Sequence, residues 1–100
     1  MKVDLLECPP DKLTEHPRVV AAYNGLGCDP SYVMSYGIGM MLAGMAFAMR
    51  DASKPLLWQK RLLDLFRYPD GSVTDGLVLK RSQPEHWIIA ATLAWEEGKK

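Results

Sequence analysis

From Ser31 to Met49 the chain runs nineteen residues without a charge. A stretch that long meets the length requirement of a membrane span, so it must either cross a bilayer or be buried by the rest of the protein. Its content favours burial. Val33, Ile38 and Leu42 are its only branched aliphatics, and the remainder is Met, Ala, Gly, Ser and aromatics. Ser, Gly and Tyr dilute the apolar character that drives insertion, while Gly37, Gly39 and Gly44 allow close approach of neighbouring backbones. The segment therefore reads as a central helix buried on nearly all sides. Five of the six methionines lie in it, with Met34, Ile38, Met41 and Met45 on one helical face. Unbranched Met fills irregular core gaps, and that role is favoured over an adaptable partner-binding groove.

Pro and Gly divide the rest of the chain into further, mostly helical, segments. Val3 and Leu5 alternate with charges ahead of Pro9–Pro10, the pattern of a short N-terminal edge strand. Thr14 is placed to cap a helix whose first turn holds Glu15, His16 and Pro17. Val19, Val20, Ala22 and Tyr23 give that helix an apolar stripe, and Gly25 or Gly27 stops it. Ser53-Lys54-Pro55 opens a helix running to about Arg67. Its inner face is Trp58, Leu62, Leu65 and Phe66, and Lys60, Arg61, Asp64 and Arg67 collect opposite. Tyr68-Pro69-Asp70-Gly71 reads as a turn. Val73 to Leu79 reads as a hairpin arm or as a helical turn capped by Thr74, with the helix preferred. Ser82-Gln83-Pro84-Glu85 has the form of a capping box, opening a last helix from Gln83 to about Glu97 with Gly98 past its end. Trp87, Ile88, Ala91, Ala94 and Trp95 form its core face, and Glu85, Thr92 and Glu96 face water. The expected architecture is mainly α: one domain spanning residues 1–100, with about four helices around a Met/Gly/Ala-rich central helix. A short N-terminal strand and a turn or small hairpin near 69–79 complete it.

At 100 residues there is length for one core. Twelve Lys+Arg balance twelve Asp+Glu, and 48% of the chain is apolar, too much for intrinsic disorder. Zero net charge argues against both a cationic nucleic-acid binder and an acidic imitation of DNA. The charges are nevertheless unevenly placed. Residues 1–29 hold three bases against five acids, and residues 50–81 hold seven bases against four acids. A solvated surface of mixed sign accounts for this. The sharper alternative is a basic side that docks on an acidic or phosphate-rich partner. Lys60, Arg61 and Arg67, presented by one helix, are then the partner-binding residues.

No constellation for catalysis emerges. Each His stands beside a Glu, but adjacent helical residues point about 100° apart and do not form an acid–base pair. No GxSxG occurs. Gly37-Ile38-Gly39 starts like a dinucleotide fingerprint, yet Leu42 stands where the third Gly belongs. Cys8, His16, Cys28 and His86 include no CxxC or HxxxH pair to preorganise a metal site. Two cysteines do not make a disulfide framework, and Met1 to Glu7 lacks the apolar core of a signal peptide. The expectation is a cytoplasmic, non-enzymatic protein with free, buried thiols and no cofactor or metal.

The opening Met1-Lys2-Val3-Asp4-Leu5-Leu6-Glu7-Cys8-Pro9-Pro10 and the closing Pro84-Glu85-His86-Trp87-Ile88-Ile89 resemble those of small phage-borne anti-CRISPR proteins directed against the type I-F surveillance complex of Pseudomonas. Those inhibitors are a functional category with many folds and no shared motif, so the resemblance carries no residue role. It implies a binder that sits on Cas protein subunits in the host bacterial cytoplasm and blocks target DNA binding or nuclease recruitment. No sequence-specific nucleic-acid contact and no membrane are expected. A phage structural or assembly factor, such as a tail chaperone held in an oligomer by the Met-rich helix, is the alternative. A membrane-associated protein and an enzyme with dispersed residues complete the set.

Overall fold

Pro17 fixes φ where a helix needs no N–H and opens the first regular element, α1 (Pro17–Gly25). The computed structural model describes residues 4–25, 27, 56–70, 73, 74 and 77–99, which include two further helices, α2 (Leu57–Arg67) and α3 (Pro84–Lys99). Between α2 and α3 lies a minimal antiparallel ladder of β1 (Val73–Thr74) and β2 (Leu77–Val78), paired Val73 to Val78 and Thr74 to Leu77. The fold is mainly helical, as the sequence predicts. Its Cα radius of gyration, 12.0 Å, is what about 100 residues give when packed into one globule.

Among the described residues the helix buried on all sides is α3. Trp87 through Ala94 form an unbroken run of eight buried residues, as expected of a helix apolar around its whole circumference. Thr92, expected to face water, is fully buried within that run. The reason is that α1 and α2 both pack on α3, so it has no water-facing side along its middle turns. Val19, Ala22 and Tyr23 from α1 and Trp58, Leu62 and Leu65 from α2 are buried around it, joined by Leu5, Leu13 and Leu79. The predicted central helix over residues 31–49, and with it the membrane-span alternative, lies outside the described residues. No helix among the described residues is long and apolar enough to cross a membrane.

Helices α2 and α3 run antiparallel: the last turn of α3 bonds to the first turn of α2, and the turn leading into α3 bonds to the last turn of α2. Glu97 Oε1, in the last turn of α3, accepts the Trp58 backbone N–H at 2.6 Å in the first turn of α2. At the other end Arg81 donates from Nε to Leu65 O at 2.9 Å and from Nη2 to Phe66 O at 2.8 Å. That places a cation on the orphan carbonyls where the helix dipole is negative. Helix α1 meets the C-terminal end of α3. Arg18 grips Glu96 from α1's first turn, through Nε to Oε2 at 2.9 Å and Nη2 to Oε1 at 2.5 Å. Gly25, at α1's end, lies against the Trp95 ring.

Several local expectations are corrected. The N-terminal segment is two 3-10 helices, Asp4–Glu7 and Pro10–Glu15, and not an edge strand. Leu5 and Leu13 are both buried, and such tight turns bury single residues without any strand partner. Thr14 falls within the second of these turns, and α1 begins only at Pro17. There His16 Nδ1 accepts the Arg18 N–H at 3.2 Å, doing the capping work assigned to Thr14. Helix α2 opens after Leu56, two residues beyond the predicted Pro55 start; Gln59 Oε1 reaches back to the Leu56 N–H at 3.0 Å.

Val73, Thr74, Leu77 and Val78 pair as an antiparallel ladder and do not form the preferred helical turn. Asp75-Gly76 stands between the paired Thr74 and Leu77, and Asp-Gly is a strong two-residue hairpin signal. Ser82 lies in a turn and does not cap α3. With Pro84 as the first helical residue, the flanking position falls on Gln83, whose carbonyl accepts the His86 N–H at 3.0 Å. The helix also continues through Gly98 to Lys99. Gly25 ends α1 as expected, and Gly27 takes the left-handed backbone, φ 80°, that Gly adopts without penalty.

Candidate protein-binding face

Projecting α2 at 100° per residue puts Trp58, Leu62 and Leu65 within a narrow arc. That arc is the face turned to the core. Leu57, Lys60, Asp64 and Arg67 fall on the opposite arc, where Leu57, Lys60 and Arg67 are exposed and Asp64 is half-buried. Lys60 and Arg67 are seven residues apart, so they point the same way about two turns, or 10 Å, along the axis. Neither makes an ion pair with a described residue. Leu57, 48% exposed, borders this pair at the start of the helix, and Tyr68, 55% exposed, borders it at the end.

Arg61 does not belong to that face. It is 4% exposed and stacks its guanidinium over the Trp58 ring, 4.3 Å from the centroid. On the helical projection it sits at the margin of the buried arc. Its aliphatic stem covers apolar surface, and its planar head lies on an indole, the ring face best suited to a cation. The three basic residues expected to act together are thus divided into two exposed cations and one structural arginine. Leu57 and Tyr68 were not singled out from sequence. The available signal was Leu56-Leu57, apolar residues that the inner face does not need.

An open depression of about 480 Å³ adjoins the C-terminal end of α2, lined by Pro69, Asp70, Arg81 and Ser82. Its cation is engaged, since the Arg81 guanidinium caps α2. Cys8 is a half-buried free thiol whose sulfur approaches Pro9 O at 3.6 Å; Cys28 lies outside the described residues. Among the described residues no three of His, Cys, Asp and Glu converge closely enough to hold a metal ion. Comparison with family models, curated proteins and solved structures finds no match. The outward face of α2 is therefore read on its own chemistry.

Proposed function

We propose that this chain is a non-enzymatic inhibitor that binds protein subunits of a type I CRISPR–Cas surveillance complex and blocks target DNA binding or nuclease recruitment. The observation that carries the binding role is the outward face of α2, where Lys60 and Arg67, without an ion-pair partner among the described residues, stand between exposed Leu57 and Tyr68. Tyr and Arg are enriched at protein interfaces, and apolar surface beside them is what such contacts desolvate. Half-buried Asp64 between the two cations suits a protein surface of mixed charge better than a uniform row of phosphates, which it would repel. A standard interface takes about 800 Å² from each partner, within reach of a domain this size. Inhibition by occupancy requires no reacting group. The identity of the partner rests on the sequence resemblance at residues 1–10 and 84–89, and the bacterial cytoplasm is where such a complex would be met.

The test is co-purification with the type I complex followed by a target-DNA mobility shift. The wild-type chain should co-purify and either abolish the shift or leave it intact while preventing nuclease recruitment. The double reversal Lys60→Glu/Arg67→Glu should lose binding while retaining the wild-type circular dichroism spectrum. No co-purification, together with undiminished interference against an invading plasmid, would overturn the reading.

A further inference from the structure

Independently of the binding face, we propose that His86 is an acid-released latch: protonation of its Nδ1 frees the Lys80 amide and loosens the turn that ties α3 to the end of α2. The geometry is a chain of bonds through three consecutive segments. His86 Nδ1 accepts the Lys80 N–H at 2.8 Å. Next along α3, the Trp87 indole Nε1 donates to Arg81 O at 2.7 Å. Arg81 in turn holds Leu65 O and Phe66 O through its guanidinium and Pro69 O through its backbone N–H, the last at 2.9 Å. The Phe66 ring meets Trp87 edge-on at 4.9 Å. The turn is thereby held by α3 on one side and by α2 on the other.

Of these bonds only the one to His86 depends on a group that changes protonation near neutral pH. A neutral imidazole can offer Nδ1 as an acceptor; an imidazolium carries protons on both nitrogens and can only donate. On protonation the Lys80 N–H would face another N–H, and the bond would become a repulsion. His86 is the third residue of α3, where the positive end of the helix dipole also opposes a positive ring. The charges acting on the ring are the Glu85 carboxylate on α3, which favours protonation, and the Lys80 ammonium on the turn, which opposes it. Arg81 directs its own charge to the α2 carbonyls.

Partial burial, the largest influence, holds the His86 pKa below the ordinary imidazole value of 6.5, and Lys80 adds to that while Glu85 works against it. The unfolded chain therefore takes up the proton first as pH falls. The stability that neutral His86 contributes is fully present above pH 6.5 and declines as pH drops from there toward the folded-state pKa. In the native protein the latch opens only on passing through that lower value.

Residue-resolved NMR between pH 8 and pH 5 tests this on the intact chain. Lys80 amide exchange, corrected for its intrinsic pH dependence, should speed up about two- to tenfold on ring protonation, the factor that one net hydrogen bond supplies. The Trp87 indole resonance should shift with the same midpoint as the His86 ring. His86→Asn retains an acceptor near the Nδ1 position but does not titrate, and its Lys80 amide should stay protected throughout. His86→Ala should show fast exchange at every pH. An unmoved Lys80 amide while the His86 ring titrates would overturn the proposal. So would a wild-type pH response in His86→Asn, which would assign the effect to a group other than His86. Should the variants fail to fold, the wild-type titration decides alone.

Discussion

Glu97 Oε1 accepts the Trp58 backbone N–H at 2.6 Å, so the end of α3 supplies a cap that Leu56, at the start of α2, has no side-chain acceptor to provide. The carboxylate stands where α2 exposes unpaired N–H groups and the positive end of its dipole. Together with Arg81 at the other end, it makes the termini of α2 depend on residues of a different segment. Helix α2 is thereby coupled to α3 and to the turn that leads into it.

Glu97→Ala should destabilise the fold by about 1–2 kcal/mol, the usual cost of a lost cap with a charged acceptor. Glu97→Gln retains the acceptor but loses the charge, and should cost about half as much. Urea titration reads both as a lower midpoint with an unchanged slope. Equal losses for the two variants would mean that charge, and not the hydrogen bond, is what stabilises the contact.

Lys60 and Arg61 are sequence neighbours with opposite roles. Arg61→Ala should cost about 1–3 kcal/mol by removing the stacked guanidinium and the packed stem over Trp58. Arg61→Lys should recover only part, because an ammonium lacks the planar surface. Lys60→Ala, at an exposed site, should change stability by no more than about 0.5 kcal/mol. Thermal melts separate the pair: the Arg61 variants shift downward and the Lys60 variant does not. Partner binding should show the reverse pattern, with affinity lost in the Lys60 variant.

Helical phase explains both what the sequence made legible and what it did not. The 3.6 period identifies Trp58, Leu62, Leu65 and Phe66 as the inner face of α2; the first three are buried and Phe66 is half-buried against the core. The same period places Arg61 at the margin of that arc, where burial turns on whether an aromatic stands beside it, and Trp58 does. Thr92 is buried because two helices pack on α3, a tertiary fact with no local trace. Cap positions moved for a related reason. Thr14 has the right chemistry, but His16 brings its ring nitrogen to the Arg18 amide instead, and Pro84 as the first helical residue moves the flanking position of α3 from Ser82 to Gln83. A free capping residue is chosen by neighbours as well as by type. Over residues 73–79 the sequence favours Thr74 as a helix cap, whereas the structure pairs Val73 with Val78 and Thr74 with Leu77. For the binding face, the period gave Lys60 and Arg67, whereas Leu57 and Tyr68 are visible only as exposed apolar surface.

Arg18 and Glu96 form a two-pronged pair joining α1 to α3, with side chains 35% and 28% exposed. Two parallel bonds give this geometry more strength than a typical surface ion pair. A double-mutant cycle with Arg18→Ala and Glu96→Ala should return a coupling of about 1 kcal/mol, near the upper end for partly exposed pairs. The coupling should shrink in high salt, since the pair is only partly shielded from screening ions. Urea unfolding of the four proteins at low and high salt measures both quantities.

Gly25 carries the last prediction, because two effects there oppose each other. Replacing a helical Gly by Ala ordinarily stabilises by about 0.5–1 kcal/mol, through lower entropy of the unfolded chain. At this position a Cβ would sit 2.8 Å from Trp95 Cε2, inside van der Waals contact and against a rigid ring. Overpacking of this kind costs about 1–3 kcal/mol, so the clash should win and Gly25→Ala should be less stable than wild type. Trp95→Leu removes the obstructing ring at its own cost in buried area. Combined with Gly25→Ala it should cost less than the sum of the two single losses. A strictly additive double variant would show that Trp95 does not set the limit at Gly25. A stabilised Gly25→Ala would show that α1 can move off the indole without loss.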